Sequence, residues 1–158
     1  MQGKNVPKKL SDQDASKLKV GIVVSTYYDD ITGRMLAGAL QTLKECGVTE
    51  KNTSVARVSG SFEITYGCLS LLKRKKYDAL IALGCIIKGE TNHDEYIAHA
   101  VAQGVVGLMM QYKTPISFGV VTTNDLPQAV VRSTGKNNKG IEAALAALEM
   151  AFLDRQTK

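Results

Sequence analysis

Four short apolar runs, each followed by a helical pattern, limit what this chain can fold into more than any other feature. Residues 18–25 (Leu-Lys-Val-Gly-Ile-Val-Val-Ser) are apolar almost without a break, as strands buried on both faces are. Residues 32–46 then carry Met35, Leu36, Ala39, Leu40 and Leu43 at helical spacing, and Gly47 closes the helix. The pattern repeats: strand 53–58, then helix 62–75 with Ile64, Cys68, Leu71 and Leu72 on one face. Next come strand 77–87 and helix 93–111, then strand 116–122, introduced by Pro115, and a short helix 125–132. A turn at 135–138 leads into a last helix, 139–154. Strands that alternate with helices form a parallel sheet covered on both sides. The expected fold is therefore α/β, a flavodoxin-like three-layer sandwich around a central four-stranded parallel sheet. Residues 1–17 are polar, include Pro7 and show no period, so they are expected to be an N-terminal arm on a single domain, 18–158.

In this fold the C-terminal ends of the strands share one edge, where ligands bind. Unusual residues follow every strand. After the first come Tyr27 and Tyr28, rings suited to stacking on a planar ligand. After the second come Ser59, Gly60, Ser61, Phe62 and Glu63, at a helix start with open N–H groups. After the third, Lys88, Gly89, Glu90 and Thr91 turn into the helix opened by His93. A glycine turn running into a helix N-terminus suits a phosphate. An imidazole at His93 can move a proton beside that phosphate. The alternative is an ordinary turn in which Thr91 or Asn92 caps the helix and His93 lies on its surface. Arg132 and Lys139 flank the turn after the fourth strand.

Other chemistries are excluded by spacing. His93 and His99 are six apart, lie on different sides of a helix and cannot form a metal pair. No G-x-G-x-x-G follows the first strand, so there is no dinucleotide fingerprint. Cys46, Cys68 and Cys85 are odd in number and dispersed, and read as reduced thiols of a cytoplasmic protein. Cys85 lies before the strand end and is expected to be buried rather than nucleophilic. No apolar run approaches ~20 residues, so no membrane span is expected. Nor does the polar start have the apolar core of a secretory signal. The net charge of +5 raises nucleic acid as a partner. The densest basic cluster, however, Lys73 to Lys76, falls at a helix end, where cations complement the dipole. Without Trp and with only 6% aromatics there is no stacking ladder, so no nucleic-acid partner is expected.

Taken together, several motifs carry a family resemblance. They are Gly21-Ile-Val-Val-Ser25 with Ile31-Thr32; Val58-Ser-Gly-Ser-Phe-Glu-Ile64; Asp78-Ala-Leu-Ile-Ala-Leu-Gly84 with Lys88-Gly-Glu-Thr91 and His93; Phe118-Gly-Val-Val-Thr-Thr123 with Gln128, Ala129 and Arg132; and Asn138-Lys-Gly140 with Ala147-Leu-Glu-Met150. Collinear over nearly the whole chain after the arm, they resemble the 6,7-dimethyl-8-ribityllumazine synthases of riboflavin biosynthesis. The resemblance implies a transferase that condenses 5-amino-6-(D-ribitylamino)uracil with 3,4-dihydroxy-2-butanone 4-phosphate and uses no cofactor and no metal. By position it implies that Tyr27 stacks on the pyrimidine and that Ser61, Phe62 and Glu63 hold the ribityl chain. Ile86 and Ile87 would line the ring pocket. Gly89, Glu90, Thr91 and Arg132 would hold phosphate, and His93 would be the general acid–base. Phe118 and Lys139 would come from a neighbouring subunit or the adjoining turn. It further implies a homopentamer, a 60-subunit icosahedral shell in many members, and association with riboflavin synthase.

Four positions depart from the family pattern. Tyr28 stands where Asn is usual, Ser59 and Thr65 replace prolines, and Asp94 replaces a bulky aromatic after the histidine. Tyr28 and Asp94 are the features that suit an alternative, a flavin- or lumazine-binding paralogue with little catalysis. A third reading, a phosphoacceptor signalling module, has only Asp29 and Asp30 to draw on.

Overall fold

The computed structural model describes Pro7, Leu10 and residues 12–158. Four strands, β1 (Val20–Ser25), β2 (Thr53–Val58), β3 (Ala79–Ile87) and β4 (Ile116–Thr123), form one sheet in the order β2-β1-β3-β4. Every pairing is parallel. The helices are α1 (Asp29–Glu45), α2 (Ile64–Arg74), α3 (His93–Tyr112), α4 (Leu126–Arg132) and α5 (Lys139–Gln156). Short 3-10 turns at Glu50–Asn52 and Gly135–Asn137 complete the connections. This is the expected α/β sandwich.

The two central strands explain the unbroken apolar runs. Every residue of β1 is buried, as are all residues of β3 except its last. Alternate side chains go to opposite faces. Ile22, Val24, Ile81 and Leu83 join a core with α1 and α5, through Met35, Leu43, Ala144 and Leu148. Val23, Leu80, Ala82 and Ile86 join a second core with α2 and α3, through Ile64, Cys68, Val101 and Val105. The edge strand β2 is only part-buried. Most of the expected arm lies outside the described residues; within it, Leu10 and Ala15 are buried in the first core.

Helix α1 starts three residues before the expected Thr32, because Tyr28 O already accepts from Ile31 N and Thr32 N. Asp29 and Asp30 then fill its first turn, where carboxylates favour the helix dipole. Helix α2 begins two residues later than expected, since Glu63 N and Ile64 N donate to Gly60 O and Ser61 O and hold residues 60–63 as turns.

Helices α1 and α5 approach almost to backbone contact at Gly140. A Cβ there would collide with the Met35 main-chain carbonyl. The buried Asn138 locks the same junction. Its Oδ1 accepts from Gly140 N at 2.8 Å, capping α5, and its Nδ2 donates to Arg34 O at 2.9 Å. Alanine normally favours a helix over glycine by roughly 0.5–1 kcal/mol, but here it must push two helices apart. Overpacking of this kind costs about 1–3 kcal/mol, and we expect Gly140→Ala to lower Tm by ~2–4 °C for each kcal/mol lost. Thermal unfolding followed by circular dichroism checks this, and an unchanged or raised Tm would show that the junction has slack.

Candidate active site

The sheet order puts a topological switch point between β1 and β3. The chain leaves β1 toward β2 and leaves β3 toward β4, so the loops diverge and open a crevice. A cleft of about 630 Å³ lies there. The turn after β1 contributes Tyr27 and Tyr28, and the turn after β2 contributes Gly60, Ser61, Phe62 and Glu63. Strand β3 and its turn contribute Cys85, Ile86, Ile87, Gly89 and Thr91, and α3 contributes His93, Asp94, Tyr96 and Ile97.

Local packing fixes several of these groups. The Tyr27 and Tyr28 rings meet edge to face, with centroids 5.0 Å apart and planes at 78°, a favoured aromatic geometry. Tyr28 packs against the first core while Tyr27 stays 75% exposed, so one ring braces another whose face is free for a ligand. Burial, reinforced by Tyr27, raises the Tyr28 phenol above its usual pKa and keeps it neutral. Ser61 is buried and donates through Oγ to Cys85 O at 3.3 Å, which ties the β2 turn to β3. Burial pushes the Cys85 thiol up to about 11, so at neutral pH it is a protonated wall, not a nucleophile. Cys68, deeper in the second core, is pushed up to about 12 for the same reason.

Helix α3 opens without a side-chain cap, since Asn92 occupies the cap position but accepts no hydrogen bond there. The capping alternative therefore fails for Asn92. The positive end of a twenty-residue helix faces the turn that carries Gly89 and Thr91. His93, Thr91 and Gly89 are exposed.

Three expected residues lie elsewhere. Phe118, Arg132 and Lys139 line a second cleft of about 440 Å³, together with Ser117, Glu142, Ala143 and Ala146. Register explains the separation. Phe118 pairs with Ala82, four residues before Ile86 on β3, which is about 13 Å along a strand. Phe118 is mid-strand on the sheet edge, below the level of the first cleft. Arg132 ends α4, which Asp125 Oδ1 caps by accepting from Gln128 N at 2.9 Å. The Arg132 Nη1 donates to Gln128 O at 3.1 Å, and Lys139 Nζ pairs with Glu142 at 2.8 Å. Glu90 is exposed and lines neither cleft.

Cleft residues that the sequence did not single out are Tyr96 and Ile97. Their positions three and four residues after His93, on one helical face, were the available signal. Among the described residues no group of three or more His, Cys, Asp or Glu side chains gathers to hold a metal. No helix among the described residues is long and apolar enough to cross a membrane.

Fold and cleft together define a class: a doubly wound α/β protein with an aromatic-walled cleft at its switch point and a histidine at the adjoining helix start. The family model described as 6,7-dimethyl-8-ribityllumazine synthase matches residues 17–155. A 6,7-dimethyl-8-ribityllumazine synthase of Parabacteroides distasonis is 43% identical over 138 residues, 87% of this chain and 86% of its own length. One of Phocaeicola vulgatus is 41% identical over 148 residues, 89% of this chain and 88% of its own. The chain belongs to the 6,7-dimethyl-8-ribityllumazine synthase family, whose members are transferase-type enzymes.

Proposed function

We propose that this protein joins 5-amino-6-(D-ribitylamino)uracil to 3,4-dihydroxy-2-butanone 4-phosphate, giving 6,7-dimethyl-8-ribityllumazine, phosphate and water. The observation that carries this is the gathering of Tyr27, Ser61, Phe62, Glu63, Ile86, Ile87, Gly89, Thr91 and His93 around one switch-point cleft in a chain of this family. The exposed Tyr27 ring stacks on the pyrimidine, and Ile86 and Ile87 line the pocket beside it. Residues 61–63 hold the ribityl hydroxyls. The phosphate of the four-carbon substrate sits against the α3 N-terminus at Gly89 and Thr91, with Glu90 on the outer side of that turn.

Condensation of the amine with the ketone requires protons to move on and off a carbinolamine, and His93 serves as that acid and base. Phosphate departure requires a cation at the leaving group. Arg132 meets this need by its guanidinium fork, but it lies with Phe118 and Lys139 in the second cleft. We therefore assign those three to the site of an adjacent subunit, in a closed homopentameric ring. Apolar side chains left exposed support such contacts: Val106 and Met110 on α3, and Leu126, Val130 and Val131 on α4. A 60-subunit shell and association with riboflavin synthase are extensions of the same reading, as is a cytoplasmic location.

Two measurements on the purified protein test it. An assay with both substrates should show the rise in lumazine absorbance, and absence of turnover overturns the activity. Light scattering should give a mass of five chains or a multiple of five. A single-chain mass of 17.0 kDa would remove the shared site.

A further inference from the structure

One buried side-chain oxygen in the first cleft has no partner. Asp94 lines it, yet makes no hydrogen bond or ion pair among the described residues, and its Oδ1 is closed off from solvent. An ionised carboxylate only accepts hydrogen bonds, through about four lone-pair sites. Buried acceptors in native proteins are almost always satisfied, and one that is not calls for an explanation. His93 does not supply it, because neighbours at i and i+1 on a helix do not face each other. Asp94 instead shares a helical face with Ile97, three residues on, and Ile97 packs against the core that contains Ile86. The carboxylate thus belongs to the apolar, ring-binding part of the cleft, and its terminal torsion is soft enough to turn toward a ligand.

We infer that Asp94 is a substrate-orienting residue that accepts a hydrogen bond from an N–H or O–H donor of the ribityl-bearing pyrimidine. The inference rests on the function proposed above and adds a specificity element to it. Ligand chemistry selects between the two substrates. The phosphorylated one is an anion rich in acceptors, which a carboxylate repels. The pyrimidine is neutral and offers ring N–H, amine and hydroxyl donors. A carboxylate on this face of the first turn therefore favours the donor-bearing pyrimidine over the anion in the ring pocket. An aromatic side chain at this position would exclude phosphate only by bulk. Asp94 adds charge and direction.

The test uses wild type, Asp94→Asn and Asp94→Leu. Dissociation constants are read from the fluorescence of 6,7-dimethyl-8-ribityllumazine, which keeps the pyrimidine N–H and the ribityl hydroxyls, and KM is measured for each substrate separately. Loss of a hydrogen bond to a charged acceptor corresponds to ~10–100-fold. Asp94→Leu should weaken lumazine binding and raise KM for the pyrimidine by that factor. KM for the butanone phosphate should stay unchanged or fall, and Asp94→Asn should lie between. If Asp94→Leu does not fold, the nearly isosteric Asn variant carries the same comparison. Equal loss on both substrates, or unaltered pyrimidine binding in a folded variant, overturns the role of Asp94 while leaving an active wild type intact. A wild type that neither binds lumazine nor turns over would instead overturn the function on which the inference rests.

Discussion

Arg132→Ala should raise KM for 3,4-dihydroxy-2-butanone 4-phosphate by ~30–700-fold and leave KM for the pyrimidine nearly unchanged. The factor corresponds to the ~2–4 kcal/mol that a charged, directional contact contributes when its partner is otherwise left unpaired. Little of this should come from lost stability. Arg132 is only half-buried, and its one side-chain hydrogen bond among the described residues runs to the carbonyl of Gln128 in its own short helix. Arg132→Lys refines the result. An ammonium keeps the charge but loses the planar fork, so it should recover part of the affinity but not all of it. Steady-state kinetics with each substrate varied in turn decides the matter. A loss confined to the pyrimidine would mean that the second cleft has been assigned the wrong ligand.

His93→Ala is expected to lower kcat by ~10–10³-fold, the range of general acid–base catalysis less whatever water can replace. The fold should survive, because His93 is exposed on the first turn of α3 and supports no core contact. Binding of the lumazine product should change far less than kcat, since in the proposed site the contact area comes from Tyr27, Phe62 and Ile86, which line the same cleft. If kcat is unchanged in a variant with a normal Tm, proton transfer belongs to another group.

The sheet could be anticipated because β1 and β3 are buried on both faces and spell this out as nearly unbroken apolar residues. The Gly89-to-His93 turn was equally legible, as a strand end that runs into a helix start. The beginnings of α1 and α2 were less so, because both helices start without side-chain caps, behind Tyr28 and Glu63, and so lack the residue that would mark them. The division of the site residues between two clefts could not be read from residue types. It depends on the register of β3 against β4, which sets Phe118 opposite Ala82 and well below Ile86. Spacing along one chain carries no trace of that pairing. The missing partner of Asp94 was also hidden, since its adjacency to His93 in sequence suggests a contact that helical geometry forbids.

The two-cleft arrangement has a genetic meaning. On the shared-site reading, each site takes its histidine from one subunit and its arginine from the next. Two defective alleles, one altered at His93 and one at Arg132, would meet in mixed rings, and some boundaries would join two intact halves. Neither allele alone would support growth without riboflavin, while a cell carrying both would. By the criterion of complementation, a single gene would then score as two.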